Sequence, residues 1–156
     1  MTVGDSTVLF RAVPRKFKLL PAEKRALTSF AQILSERIGQ GRPWACLISS
    51  DRELHRLNAS FLGHDYPTDV LSFPAPPEAG YLGEIAISTE RAHDQAAQFN
   101  HPLLSELQIL MLHGFLHLTG MDHERDRGQM ARAERKWRGE FNLPATLIAR
   151  SKKVKQ

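Results

Sequence analysis

The chain has 156 residues, 42% of them hydrophobic and 24% charged, which is the size and composition of one globular domain and excludes a disordered, collagenous or coiled-coil protein. A domain of this length needs no disulfide to fold, and with Cys46 as its single cysteine it can form neither an internal disulfide nor a Cys-rich zinc finger. The net charge of +4 is unevenly spread: residues 121–156 hold ten Lys/Arg against five Asp/Glu. Such a basic region attracts phosphates, although charge alone is equally consistent with a solvated helix face and tail.

In chain order, Thr7–Val13 and Ala45–Ser49 are expected as short strands, β-branched or apolar and flanked by turn residues. Between them, Leu27, Phe30, Ala31, Leu34 and Ile38 recur at helical spacing, and Gly39 ends that helix. Ser50-Asp-Arg-Glu53 is a capping signature for a second helix reaching about Leu62, and Pro67 biases the loop that follows away from helix. Val70–Phe73 and Tyr81–Ser88 are expected as two more strands across a Pro-rich connection. Ser88 is positioned to cap a helix to about Phe99, Pro102 to open one through Leu118, and Asp126–Phe141 forms a last amphipathic helix. Strands and helices mix without strict alternation, which gives an α+β fold: one domain over residues 1–149 and a basic tail over 150–156. Met1–Phe10 lacks the features of a secretory leader, and polar residues interrupt the apolar run 103–118, so a cytoplasmic protein without a membrane span is expected.

The segment richest in chemistry is His113-Gly-Phe-Leu-His117-Leu-Thr-Gly120-Met-Asp-His123. Residues four apart on a helix project from one face, so His113 and His117 can reach one ion at about 2.0–2.1 Å each. Gly120 can adopt the left-handed conformation that reverses the chain and returns His123 as a third ligand. Apolar residues surround the helix almost completely, so it is expected to be buried, where an unpartnered imidazole costs about 1–3 kcal/mol. For two histidines alone, core imidazoles bonded to backbone are the commoner explanation; His123 and Gly120 shift the balance to a metal. Three neutral nitrogens suit one zinc ion per chain in an open, catalytic site, with Asp122 or Asp126 as a fourth ligand or as an acceptor for imidazole N–H. The spacing matches that of metzincin proteases, but their glutamate base is replaced by Gly114, which disfavours a peptidase.

Three segments together resemble the YbeY endoribonuclease (rRNA maturation factor) family of bacteria: Leu57-Asn58 through Pro67-Thr-Asp-Val-Leu-Ser-Phe-Pro74, Gly83-Glu-Ile-Ala-Ile-Ser88, and the histidine segment 113–123. The resemblance implies a mixed sheet with a zincin-like site and zinc on His113, His117 and His123. It implies a single-strand-specific endoribonuclease acting in 16S rRNA 3′-end maturation and ribosome quality control, with ribosomal RNA and ribosome-associated proteins as partners. One departure bears on mechanism more than on family: where the family usually has an arginine after the aromatic of the Asn-x-x-aromatic segment, this chain has Leu62 after Phe61.

Thr68, Asp69 and Ser72 are candidates to line the cleft, with turn capping an equal alternative, and His64 is a further candidate beside them. Glu84 reads as a solvent-facing strand carboxylate rather than a proton carrier. His55, His93 and His101 read as surface residues, Cys46 as a core thiol, and Trp44 and Trp137 as packing anchors. The competing functional readings are another metal-dependent hydrolase with the same ligands, and a non-catalytic ribosome-assembly factor whose zinc is structural.

Overall fold

A computed structural model describes residues 5–62, 68–122 and 125–144. Four strands form one mixed sheet: β1 (Thr7–Phe10), β2 (Ala45–Ser49), β3 (Val70–Pro74) and β4 (Gly83–Ser88), in the order β1-β2-β4-β3. β1, β2 and β4 run parallel, and β3 closes the edge antiparallel to β4, with Ser72 opposite Ile85 and Phe73 opposite Glu84. Among the described residues there are five α-helices: α1 (Pro21–Arg37), α2 (Asp51–Leu57), α3 (Thr89–Gln98), α4 (Leu103–Leu118) and α5 (Gln129–Glu140). This is the expected α+β class with a mixed sheet.

The two faces of the sheet bury different residues because side chains alternate along a strand. Cys46, Ile48, Ile85 and Ile87 point to the face shared with α1, α3 and α4, where Leu27, Leu34, Leu110 and Phe115 complete the main core. Trp44 anchors it, its indole N–H donating to the Ala31 carbonyl at 2.9 Å while Phe115 packs edge-on at 4.9 Å. Burial pushes the Cys46 thiol far above its usual range, which keeps it protonated and inert. The opposite face carries a smaller cluster of Leu54, Leu71 and Ala86 under α2. Beyond α2 that face is open: Leu9 (59% exposed) and Phe61 (67%) border a groove of about 540 Å³.

Several boundaries differ from the sequence expectation. β1 stops at Phe10 rather than Val13, because Ala12 takes a left-handed φ of 55° that breaks the extended chain. The second helix reaches Leu62 but changes character, running as α2 to Leu57 and as a π-helical segment over Asn58–Leu62. β4 starts at Gly83 rather than Tyr81. At Gly83 φ is 130°, and a Cβ would lie 2.3 Å from the Phe73 carbonyl oxygen, so only glycine fits this crossing. The last helix starts at Gln129, with the Asp126 carboxylate accepting the N–H groups of Gly128 and Met130 at 2.8 and 2.9 Å. The caps at Ser50 and Ser88 form as expected, their hydroxyls accepting from the N–H of Glu53 and of Arg91.

Candidate metal centre

α4 runs through the centre of the molecule, against β3 and β4 on one side and α1, α3 and α5 on others, and is buried nearly all round. An apolar residue at almost every position drives that burial. It also leaves the two histidines of the last turns as polar exceptions. Their rings meet edge-on at 4.9 Å between centroids, so the predicted pair shares one side of the helix. His113 is 9% exposed, while His117 is half-buried toward solvent.

Gly114 sets the distance between this helix and the sheet. A Cβ there would lie 3.0 Å from Ile85 Cδ1 and 3.3 Å from Val70 Cγ2, so the position next to His113 faces β3 and β4 with no room for a glutamate. Gly114→Ala is expected to lower stability by about 1–2 kcal/mol through crowding, despite the roughly 1 kcal/mol that alanine gains over glycine in helix propensity. Urea unfolding measures the balance; an unchanged or higher midpoint would show that α4 can move off the sheet freely.

α4 ends as the sequence predicts. Gly120 has φ 102°, its N–H donates to the His117 carbonyl, and the Met121 N–H donates to the Leu116 carbonyl. That pair of bonds satisfies the last carbonyls and reverses the chain directly before Asp122 and His123. His123 lies outside the described residues. Among those described, no set of three His, Cys, Asp or Glu is gathered closely enough to hold an ion. The third ligand therefore rests on His123 from the sequence.

A residue the sequence reading missed stands behind His113. Glu134 of α5 is 1% exposed, and one carboxylate oxygen lies 3.3 Å from His113 Nδ1. The sequence did hold a signal: Glu134 follows Met130 by one helical turn, on the stripe that α5 buries. Asp122 and Asp126, the two acids expected near the ion, lie at the turn into α5. The Asp122 carbonyl accepts the N–H groups of Arg125 and Asp126, and the Asp126 carboxylate caps the helix. Two imidazoles on one face, one of them backed by a buried carboxylate, make a donor set that fits a zinc ion.

The other candidates are placed as follows. Ser72 on β3 faces α4, its hydroxyl 3.4 Å from the Gly114 carbonyl, which sets it beside the His113 turn. Asp69 is a tie between elements: its carboxylate accepts from the Val70 N–H at 2.8 Å and from Gln95 Nε2 at 3.0 Å, and its carbonyl accepts from the Ser88 N–H. Thr68 joins it through a 3.5 Å contact between its hydroxyl and the Asp69 carboxylate. His64 and the side chain of Leu62 lie outside the described residues. Glu84 is exposed and accepts from the Tyr81 hydroxyl. Its partner in register is Phe73, on the sheet face away from α4, so it stands apart from the histidines.

His101 corrects the surface reading. Its side chain is 8% exposed, and its Nε2 lies 2.6 Å from the fully buried carboxylate of Glu106. The two residues lie only five apart, and the turn from His101 into α4 folds one onto the other, which charge patterning alone does not show. Trp137 is partly buried and stacked on Phe141 at 5.6 Å, as an anchor between α5 and the rest of the core.

Comparisons with known proteins place the chain in a family. The sequence model of the family described as endoribonuclease YbeY matches residues 18–142. A protein named endoribonuclease YbeY from Solibacter usitatus (strain Ellin6076) is 46% identical over 145 residues, covering 93% of this chain and 94% of that one. Its namesake from Koribacter versatilis (strain Ellin345) is 42% identical over 88% of this chain and 90% of its own. The solution structure of TM1509 from Thermotoga maritima superposes with a TM-score of 0.55 at 31% identity, covering 86% of this chain and 91% of that one. The chain belongs to the endoribonuclease YbeY family.

Proposed function

We propose that this chain is a zinc-dependent endoribonuclease that cuts single-stranded RNA, with the 3′ region of 16S rRNA as its substrate. In this reading it works in the cytoplasm, in rRNA maturation and ribosome quality control, alongside ribosome-associated proteins. The observation that carries the metal part is the His113–His117 pair on a buried helix with Glu134 behind it. The RNA part is supported by family membership and by the basic outer face of α5, which turns Met130 and Glu134 inward and Arg132, Arg135 and Lys136 outward. No helix among the described residues is long and apolar enough to cross a membrane.

His113, His117 and His123 would hold the ion. When bound, zinc supplies Lewis acidity to a phosphodiester and lowers the pKa of water to about 7. The chain's own residues then have separate tasks. Glu134 and the packing of α4 hold His113 in one orientation. Gly114 keeps the helix against the sheet and provides no base, which disfavours a peptidase of metzincin type. In this reading Ser72, on β3 beside Gly114, orients a phosphate oxygen, and Thr68 and Asp69 shape the entry to that strand. His64 is retained from the sequence as a cleft-lining candidate. Parallel assays on single-stranded RNA, duplex RNA and casein test the reading; cleavage of casein and not RNA would overturn it.

Binding of single-stranded RNA is expected to weaken steeply with salt, because each neutralised phosphate releases a counterion at a slope of about −0.7 in log–log terms. Removing residues 150–156 is expected to cost only a few-fold, since a flexible tail contributes less than a preformed surface. Fluorescence anisotropy across a salt series measures both effects; a flat salt dependence would separate RNA binding from the basic region.

A further inference from the structure

We infer that Glu134 is a positioning residue of the metal centre: it holds His113 in the tautomer and orientation that present Nε2 to the ion. The inference rests on the metal reading above and names a residue outside the three histidines.

A carboxylate at 1% exposure is expensive to keep in a core, and α5 places Glu134 beside Met130, which is fully buried. An apolar residue at this position would continue the buried stripe. Instead the carboxylate comes within 3.3 Å of His113 Nδ1, across 21 residues of sequence. The ionised carboxylate only accepts, and in that state the 3.3 Å contact requires the hydrogen to sit on Nδ1. A neutral imidazole carries one proton; with it at Nδ1, the lone pair lies on Nε2. That is the tautomer a metal needs, and the hydrogen bond also fixes the ring plane and raises the basicity of the ligating nitrogen.

The position of α5 supports this. The Asp126 carboxylate fixes the first turn of the helix, Met130 enters the core one turn later, and Glu134 follows at the next turn. The distance to His113 is thus set by an anchored element and not by a mobile side chain on a loop. The last helix is, on this account, part of the metal centre although it contributes no ligand.

The test uses the full chain as wild type, Glu134→Gln and Glu134→Leu, with three readouts: the tautomer of His113 by ¹⁵N NMR in metal-free protein at alkaline pH, zinc affinity by chelator competition, and thermal unfolding. Wild type is expected to show the Nδ1–H tautomer at His113. Zinc affinity is expected to fall about tenfold or more in Glu134→Leu. The loss should be smaller but measurable in Glu134→Gln, whose amide oxygen still accepts a hydrogen bond but a weaker one. A merely structural role would lower the unfolding temperature while leaving both tautomer and zinc affinity unchanged, and that result overturns the inference. An Nε2–H tautomer in the wild type overturns it as well. Should Glu134→Leu fail to fold, unchanged zinc affinity in Glu134→Gln is the overturning result. A wild-type protein that binds no zinc overturns the metal reading and this assignment together, whereas full zinc affinity in the Glu134 variants overturns this assignment alone.

Discussion

His117→Ala is expected to lose zinc retention and, with it, cleavage of single-stranded RNA. His117 stands one turn after His113, half-buried, and its ring meets that of His113 at 4.9 Å. Removing it leaves one described ligand, and chelation by the remaining histidines falls with it. The helix itself should survive, since Phe115 and Leu116 just before His117 are fully buried and hold α4 in place. The variant separates folding from ligation for that reason. Zinc bound to the native state adds to stability by mass action, about 4 kcal/mol when free zinc is a thousandfold above Kd. Wild type is therefore expected to unfold at a higher temperature with zinc than without it, and His117→Ala to show no such gap. Metal analysis and thermal unfolding measure the two effects; equal zinc content in wild type and variant would count against the ligand assignment.

Leu62→Arg is expected to raise cleavage of single-stranded RNA tenfold or more. Phosphoryl transfer builds charge on oxygens that a positioned cation stabilises, and a factor of ten corresponds to about 1.4 kcal/mol off the barrier. Two arginines, Arg56 and Arg91, are committed elsewhere. Arg56 is bound to Glu53 at 2.6 Å, and its hydrogen bond is the main cause that holds the Glu53 carboxyl below the usual carboxylate range. Arg91 donates from Nε to Asp51 at 2.7 Å, bridging α3 to α2. Using either cation on a phosphate would mean breaking its ion pair. Leu62 itself ends the π-helical segment, a local geometry that often accompanies functional sites. The comparison belongs at saturating RNA, so that tighter binding is not read as faster chemistry. If Leu62→Arg is no faster while His64→Ala or Arg91→Ala is inactive, the cation has been relocated. If all are inert with zinc bound, the chain is the non-catalytic assembly factor.

Much of the geometry of α4 was legible in the sequence because its signals are local. The histidine spacing, the apolar residues around α4 and the glycine at 120 all act within a few turns of one helix, and the structure keeps each of them. Family membership was readable for the same reason, from three short segments in order. What was hidden depends on tertiary contact. Glu134 is a charged residue 21 positions from the imidazole it faces, and a lone glutamate in an amphipathic helix reads as solvent-facing until α5 is docked. His101 was read as exposed because its burial depends on Glu106 being enclosed by the core. The early end of β1 follows from the conformation of Ala12, and the second helix runs on as a π-helical segment from Asn58; neither leaves a mark in hydrophobic periodicity.

The central claim, a zinc-dependent endoribonuclease, is tested most directly by stripping the purified full chain of metal and titrating zinc back while following cleavage of a single-stranded RNA. Activity is expected to disappear on stripping and to return in proportion to zinc, saturating near one ion per chain, with duplex RNA cut far more slowly. Cleavage that persists undiminished in the metal-free protein, or zinc bound at one per chain with no cleavage at all, would contradict the account.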